Sequence, residues 1–255
     1  MKLLTLARDL QRRKARERQS LFVAEGIRTV EELLRSPLLI RGALATQQLG
    51  ESSRGTALLE QLHQRGILTE EVGAEEFSSA AETESPQGIL AIGVVPKHSL
   101  DDVSPTSSLR LLVLDAIQDP GNAGTILRTA AALGATATFS LPGTVDLWNA
   151  KVVRSGMGAH FHHLCLSGTW DDLESFRGKH AITLWAADAS GESIDALVPP
   201  PRLALIVGNE GGGLSSLSRT RADRLVALPI AASTDSLNVA VAAGILLYEL
   251  RADKP

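Results

Sequence analysis

Leu3, Leu6 and Leu10 recur at helical spacing in residues 1–18, whose other faces are basic, and predict an amphipathic helix there. Beyond it, apolar runs alternate with helical periodicity. "LFVAEG" predicts a strand. "IRTVEELLRS" repeats its apolar positions every three to four residues and predicts a helix, stopped by Pro37. "LLIRGALA" predicts a strand, "TALLEQLHQRG" a helix ending at Gly66, and "ILTEEV" and "GILAIGVV" two further strands. Together they make a small α/β domain over residues 1–95. Residues 96–108, "PKHSLDDVSPTSS", are rich in Pro, Ser and Asp with little periodicity and read as a linker.

From residue 109 the alternation resumes. "LRLLVLD", "ATATFSL", "HHLCLS", "AITLWAAD", "RLALIVG" and "RLVALPI" predict strands separated by helices. The first, fourth and fifth are near-continuous apolar runs, the pattern of a parallel sheet covered on both faces. Residues 109–255 are therefore expected to form a doubly wound α/β domain with a mostly parallel sheet. Its ligands should sit at the carboxyl ends of the strands.

Composition narrows the class. The chain has 255 residues, 44% of them hydrophobic, enough for two ordinary domains with separate cores. No apolar run reaches the roughly 18 residues of a membrane span. The first twenty residues are too charged for a secretory signal. A soluble cytoplasmic protein is the expectation. The single cysteine, Cys165, excludes an internal disulfide and a Cys-rich zinc site; within "FHHLCLSG" it reads as a small buried hydrophobe. His162 and His163 would face opposite sides of a strand, while His160 and His162 could share one. With no Cys, Asp or Glu at ligand spacing beside them, no metal is expected.

The formal net charge is −4, but it is unevenly spread. Lys2, Arg8, Arg12, Arg13, Lys14, Arg16 and Arg18 outnumber Asp9 and Glu17 by five within residues 2–18, so the remainder carries about −9. A polyanion-binding face and a solvated helix face fit this asymmetry equally.

Three polar or Gly-rich segments follow strands of the second domain, and in a parallel sheet they would gather at one edge. "DAIQDPGNAGTILRTAAALGA" is a loop opening a helix, with Arg128 two turns in; neither of the common glycine-rich nucleotide motifs can be read in it. "VGNEGGGLS" offers Gly208, Gly211, Gly212 and Gly213, where backbone can approach a ligand closely. Its Glu210 suits an amine, a hydroxyl or a sulfonium and not a phosphate. In "LPIAASTDSLNVAVAAGILLYEL", Ser236 is a good N-cap for a helix running to Leu250. That helix is apolar almost all round, so burial in the core or at a subunit interface is expected. Asn238, near its start, needs partners if buried.

"NAGTILRTAAALGA", "IVGNEGGGLS" and "LPIAASTDSLNVAVAAGILLYE" resemble, in order and spacing, the three signature motifs of the SpoU/TrmH family of RNA ribose 2′-O-methyltransferases. "KVVRSGMGAHF" resembles the family segment between the first two. "FVAEGIRTVEELL" and "TESPQGILAIG" are similar to the ribosomal-protein-like substrate-binding domain often fused ahead of it. The resemblance implies an α/β domain with a trefoil knot, S-adenosylmethionine held bent by the knotted loops, and a homodimer. It places Arg128, Asn122, Glu210, Ser236 and Asn238 among the catalytic residues. Gly208, Asn209, Glu210, Ile230, Ser236 and Leu237 would hold the cofactor. The charge asymmetry makes Arg12, Arg13, Lys14, Arg16 and Arg18 the candidate RNA contacts, and Arg154 either reaches RNA across a dimer or makes a structural ion pair. Where the family often has Gly, this chain has Ala232, whose methyl would tighten the cofactor loop.

The resemblance assigns Arg128 to the ribose hydroxyl, with Asn122 orienting Arg128 or the ribose. A guanidinium holds its proton beyond pH 12, so it is a poor base. A clamp on the 3′ phosphate that stabilises developing alkoxide suits its fork better. The RNA is expected to be ribosomal, given the fused domain. Alternatives are a transfer-RNA methyltransferase and a non-catalytic RNA-binding protein that keeps the fold.

Overall fold

A computed structural model describes residues 2–104, 107–231 and 236–251. The chain forms two compact units, residues 1–97 with 146–162, and residues 98–145 with 163–255. Ala232 lies outside the described residues.

In the first unit, strands β1 (Leu21–Glu25), β2 (Ile40–Ala45), β3 (Thr69–Glu71) and β4 (Ile89–Val94) form a sheet in the order β1-β4-β2-β3. Beside it lie α1 (Leu3–Leu10), α2 (Arg13–Gln19), α3 (Ile27–Arg35), α4 (Ser53–Gln64) and a short α5 (Ala74–Ser78) that the periodicity does not predict. The amphipathic stretch expected over residues 1–18 is broken, because Arg12 takes an extended conformation. The reason is Arg16. Its guanidinium turns inward, donates to the carbonyls of Leu10 and Gln11 at 2.8 and 2.9 Å, and pairs with Asp146 at 2.7 Å. These bonds satisfy the carbonyls left open where α1 ends.

The segment 146–162, expected to belong to the second domain, is part of this first unit. It carries α7 (Ala150–Ser155) and joins the core through aromatic packing. Phe22 lies 4.7 Å from Trp148 and 5.7 Å from Phe161, ring centre to ring centre. Val153 is buried in the same cluster.

The second unit contains β5 (Leu109–Leu114), β6 (Ala137–Ser140), β7 (Leu164–Ser167), β8 (Thr183–Ser193), β9 (Arg202–Val207) and β10 (Arg224–Ala227). They form a sheet in the order β10-β8-β9-β5-β6-β7, every neighbouring pair parallel. The three apolar runs read from the sequence are its inner strands β8, β9 and β5. Helices α6 (Pro120–Ala132), α8 (Trp170–His180), α9 (Ser216–Arg221) and α10 (Val239–Glu249) complete the unit. The expected linker contributes here as well, since Leu100 and Val103 pack into its core.

The helix α10 starts at Val239, and its N-cap is Asn238 rather than the expected Ser236. The Asn238 Oδ1 accepts from the amides of Ala240 and Val241 at 2.9 and 3.3 Å. At the other end, the Leu250 carbonyl accepts from the Arg110 guanidinium, which also donates to the Pro201 carbonyl at 2.7 Å. Ala243 and Leu246 are buried, and a Cβ on Gly244 would stand 3.3 Å from Thr129 of α6. The helix is not enclosed within the chain, however. Val241, Ile245 and Tyr248, at i, i+4 and i+7, are 51%, 41% and 51% exposed.

The histidines take separate roles. His160 is buried beside Trp148, their ring centres 5.5 Å apart. His163 shares a 2.9 Å hydrogen bond with the Thr138 hydroxyl, and burial pushes its imidazole down to about 4. Burial likewise pushes the Cys165 thiol up to about 12. Among the described residues, no cluster of His, Cys, Asp or Glu is arranged to hold a metal ion, and no helix is long and apolar enough to cross a membrane.

Candidate active site

Because the sheet is parallel, the segments after β5, β9 and β10 emerge at the same edge. A cavity of about 330 Å³ opens there. Gly208, Asn209, Glu210, Ile230, Ser236 and Leu237, the six residues expected at the cofactor, all line it.

The second of these segments is a tight loop. Asn209 and Gly213 exchange backbone hydrogen bonds at 2.8 and 3.0 Å. A Cβ on Gly208 would lie 2.4 Å from the Gly213 carbonyl carbon, so only glycine permits this approach of backbone to backbone. The Asn209 side chain organises the turn from inside. Its Oδ1 accepts from the amides of Gly211 and Gly212, both at 2.9 Å, and its Nδ2 donates to the Ala116 carbonyl at 2.8 Å. The amides of Gly211, Gly212 and Gly213 are therefore engaged by Asn209 itself. A phosphate would find no free amide from Gly211 or Gly212, and it would meet the Glu210 carboxylate.

Glu210 ties this loop to the first motif. Its Oε1 accepts from the Asp119 amide at 3.2 Å and from the Asn122 side chain at 3.1 Å, and its Oε2 from the Gln118 amide at 3.3 Å. Partial burial opposes charge on Glu210. Its own backbone amide, the Asn122 side chain and the amides of Gln118 and Asp119 outweigh that, and hold its carboxyl below the usual range. Asn122 in turn accepts at Oδ1 from Asn238 Nδ2 at 3.0 Å. A carboxylate only accepts, so Asn122 must give it an N–H and present its oxygen outward. Asn238 must then donate to that oxygen and turn its own oxygen to the start of α10. One carboxylate thus fixes the orientation of two amides and joins all three motifs.

Asp119 caps α6, accepting from the Asn122 amide at 2.7 Å, and Pro120 opens the helix. Arg128 lies further along α6, exposed, with no hydrogen-bond or ionic partner among the described residues. It stands outside the cavity lining, about 9 Å along the helix axis from Asn122 at 1.5 Å per residue.

The basic residues are less uniform than the sequence suggests. Arg12 and Arg18 pair with Asp9, and Arg13 with Glu17 at 2.7 Å, all at the surface. Lys14 is exposed. Arg16, expected in the same RNA-binding set, is buried and serves the fold. Arg154 is half-buried on α7 near Glu82, whose carboxyl is raised by burial despite the nearby charges of Arg16, Lys151 and Arg154.

Two cavity residues escaped the sequence reading. Asp188 follows the apolar part of β8, and Arg219 lies on α9. Asp188 had a signal, its place at the carboxyl end of a predicted strand. Arg219 had none.

The cavity suits S-adenosylmethionine. Ile230, Leu237 and Leu246 supply apolar wall, while the Glu210 carboxylate favours a cationic centre.

The family model described as the SpoU rRNA methylase family matches residues 110–248, and that of the MRM3-like substrate binding domain matches residues 5–91. The 23S rRNA (guanosine(2553)-2′-O)-methyltransferase RlmP of Bacillus subtilis is 34% identical over 245 residues, covering 96% of this chain and 94% of the relative. The 23S rRNA (guanosine-2′-O-)-methyltransferase RlmB of Pasteurella multocida is 32% identical, covering 78% and 85%. The solved structure of the SpoU methyltransferase AviRb from Streptomyces viridochromogenes, in complex with AdoMet, superposes with a TM-score of 0.85 at 28% identity, covering 98% of this chain and 97% of that one. The α/β knot fold and the fused N-terminal domain expected from the motifs stand with these likenesses.

Proposed function

We propose, for a chain that belongs to the SpoU rRNA methylase family and so transfers the methyl group of S-adenosylmethionine to a ribose 2′-hydroxyl of RNA, that the target is a guanosine of 23S rRNA. The observation that carries the assignment of the site is the hydrogen-bonded series Glu210–Asn122–Asn238, which ties the first and third motifs to a carboxylate lining the cavity.

S-adenosylmethionine supplies a methyl carbon bonded to a positively charged sulfur. Glu210, ionised through the neutral range, sets a negative potential that favours that charge. Ile230 and Leu237 shield one side from water, and Asn209 keeps the glycine loop closed. Arg128 takes the phosphate on the 3′ side of the target ribose and stabilises the charge that grows on O2′. Bound there, S-adenosylmethionine would supply the methyl group and depart as the neutral thioether, with the 2′-hydroxyl proton passing to water. Arg128 stays protonated throughout, because a guanidinium releases its proton only beyond about pH 12.

A second copy of the chain covers the exposed stripe of Val241, Ile245 and Tyr248, giving a homodimer. Three apolar side chains in register on one helix face favour a protein partner over water. The surface residues Arg12, Arg13, Lys14 and Arg18 and the half-buried Arg154 are the proposed RNA contacts.

The test is to incubate the protein with S-adenosylmethionine and 23S rRNA from cells lacking it, and to map ribose methylation by resistance to alkaline cleavage. One new protected guanosine is expected. Protection confined to transfer RNA, or to a nucleotide other than guanosine, would overturn the substrate assignment.

A further inference from the structure

Asp188 and Arg219 take no part in the methyl transfer as described, yet both line the cavity. The strand carrying Asp188 is irregular at this point. β10 pairs with Ala186 through Leu225 and with Glu192 through Val226, so residues 187–191 leave the ladder between two adjacent partners. Such excursions re-aim side chains at the rim of a sheet.

The two side chains form an ion pair in which the acid is the sheltered half. The Asp188 side chain is 8% exposed and that of Arg219 42%. Asp188 Oδ1 accepts from the Ser190 amide at 2.9 Å and the Ser190 hydroxyl at 2.6 Å, while Oδ2 takes Arg219 Nη1. Burial works against this carboxylate, and the bonds from Ser190 and Arg219 more than offset it, so its carboxyl is held low. Arg219 is thus moored by a fixed anion through Nη1. Its Nη2 lies 3.7 Å from the Cβ position of Gly213, alongside the glycine loop. Nε and Nη2 have no partner among the described residues.

The sheet order separates two ends of the cavity. Glu210 and Asn122 stand on the β5 side of the β9 loop; Asp188 and Arg219 stand on the β8 side. Among the described residues lining the cavity, Arg219 is the one cation, against the carboxylates of Asp188 and Glu210. S-adenosylmethionine carries an α-carboxylate on its amino-acid end, and a carboxylate needs N–H donors, best from a guanidinium fork.

We propose that Arg219, held in place by Asp188, is the anchor for the carboxylate at the amino-acid end of the cofactor. The inference rests on the methyltransferase reading and adds a specificity residue to it.

The test compares two ligands by calorimetry on the full chain. S-adenosylhomocysteine carries the amino-acid end; 5′-methylthioadenosine has the same adenosine and thioether without it. Arg219→Ala should weaken S-adenosylhomocysteine by about 10- to 100-fold, the range for losing a charge-assisted hydrogen bond, and leave 5′-methylthioadenosine within twofold. Arg219→Gln serves as the second variant, and unchanged 5′-methylthioadenosine affinity certifies that the site is folded in either. Equal losses for both ligands would mean that Arg219 merely supports the loop, and no loss for either would mean that it touches neither; each result overturns the proposal. A wild-type protein that binds neither ligand would strike the cofactor reading itself, a failure visible before any variant is made.

Discussion

The Asn122 side-chain carbonyl accepts from the Asn238 side-chain amide at 3.0 Å, joining positions 116 residues apart in the chain. Asn122 can present that oxygen only because its N–H groups are committed to Glu210, 3.1 Å away. Removing it should therefore disturb two loops at once. Asn122→Ala leaves Glu210 and Asn238 each short of a partner; both are solvent-accessible, so the stability cost should be about 0.5–1.5 kcal/mol. Methyl transfer should fall far more, by about a hundredfold, the scale for losing one positioned group. Asn122→Asp is the sharper variant, because it sets a second carboxylate against Glu210. Single-turnover rates across pH 5.5 to 8 should show deeper loss that eases as pH falls and the two acids share a proton. Wild-type rates for Asn122→Asp at pH 8 would remove this contact from the mechanism.

Arg128 has no partner among the described residues, and its role is read from what replaces it. Arg128→Ala should lower turnover by ~10²–10³ while S-adenosylhomocysteine binds as before. Arg128→Lys keeps the charge and loses the fork. A clamp predicts that Lys is nearly as poor as Ala from pH 7 to 9.5. Activity that returns with rising pH would identify a base instead.

Arg16 and its neighbours in sequence should separate cleanly. Replacing Arg12, Arg13, Lys14 and Arg18 with Ala should flatten the salt dependence of RNA binding by somewhat under one unit of slope for each phosphate no longer neutralised, with the melting temperature little changed. Arg16→Ala should do the reverse. It strands Asp146 and two helix-end carbonyls, with an expected loss of about 3–5 kcal/mol in chemical denaturation. An unchanged salt slope in the quadruple variant would show that these cations are only solvated.

The exposed face of α10 gives a prediction of mass. Light scattering at micromolar concentration should report twice the chain mass for the wild type. Val241→Asp with Ile245→Asp should yield monomers, since burying two carboxylates in an apolar contact is costly. A wild-type monomer with full activity would contradict the dimer.

His163 gives a prediction in pH. Its imidazole titrates near 4 in the folded chain and near 6.5 when unfolded. Between these values the unfolded state binds a proton that the folded state refuses. Stability should therefore fall as pH drops from 6.5 toward 4, by up to roughly 3 kcal/mol at full effect. His163→Gln should abolish that part of the slope in urea titrations at pH 7, 5.5 and 4.5. A slope equal to the wild type would assign it to other groups.

Much of this was legible beforehand. The runs that become β5, β8 and β9 are apolar because both faces of those strands are covered, and that alone set the parallel sheet and placed the three loops together. Three details were not. Ser236 and Asn238 are both good N-caps, and the choice between them is made by Asn122, more than a hundred positions away. Arg16 looks like its basic neighbours, and only Asp146 and the open carbonyls of α1 turn it inward. The segment 146–162 joins the first unit because Trp148 and Phe161 meet Phe22, a pairing that no local pattern records.

The pinning of α10 also fixes an order of events. Its two ends are held by Asn122 and Arg110, and its buried face rests near Thr129, so everything it touches in β5 and α6 is made before it. Contacts that span 116 and 140 residues form slowly, because long stretches of chain must first be brought together. During synthesis the sheet edge exists for a time with its third loop unanchored and its cavity open on one side. The wall that Leu246 supplies and the hydrogen bond that Asn238 gives Asn122 are thus missing until α10 docks, so firm binding of the methyl donor waits on that helix.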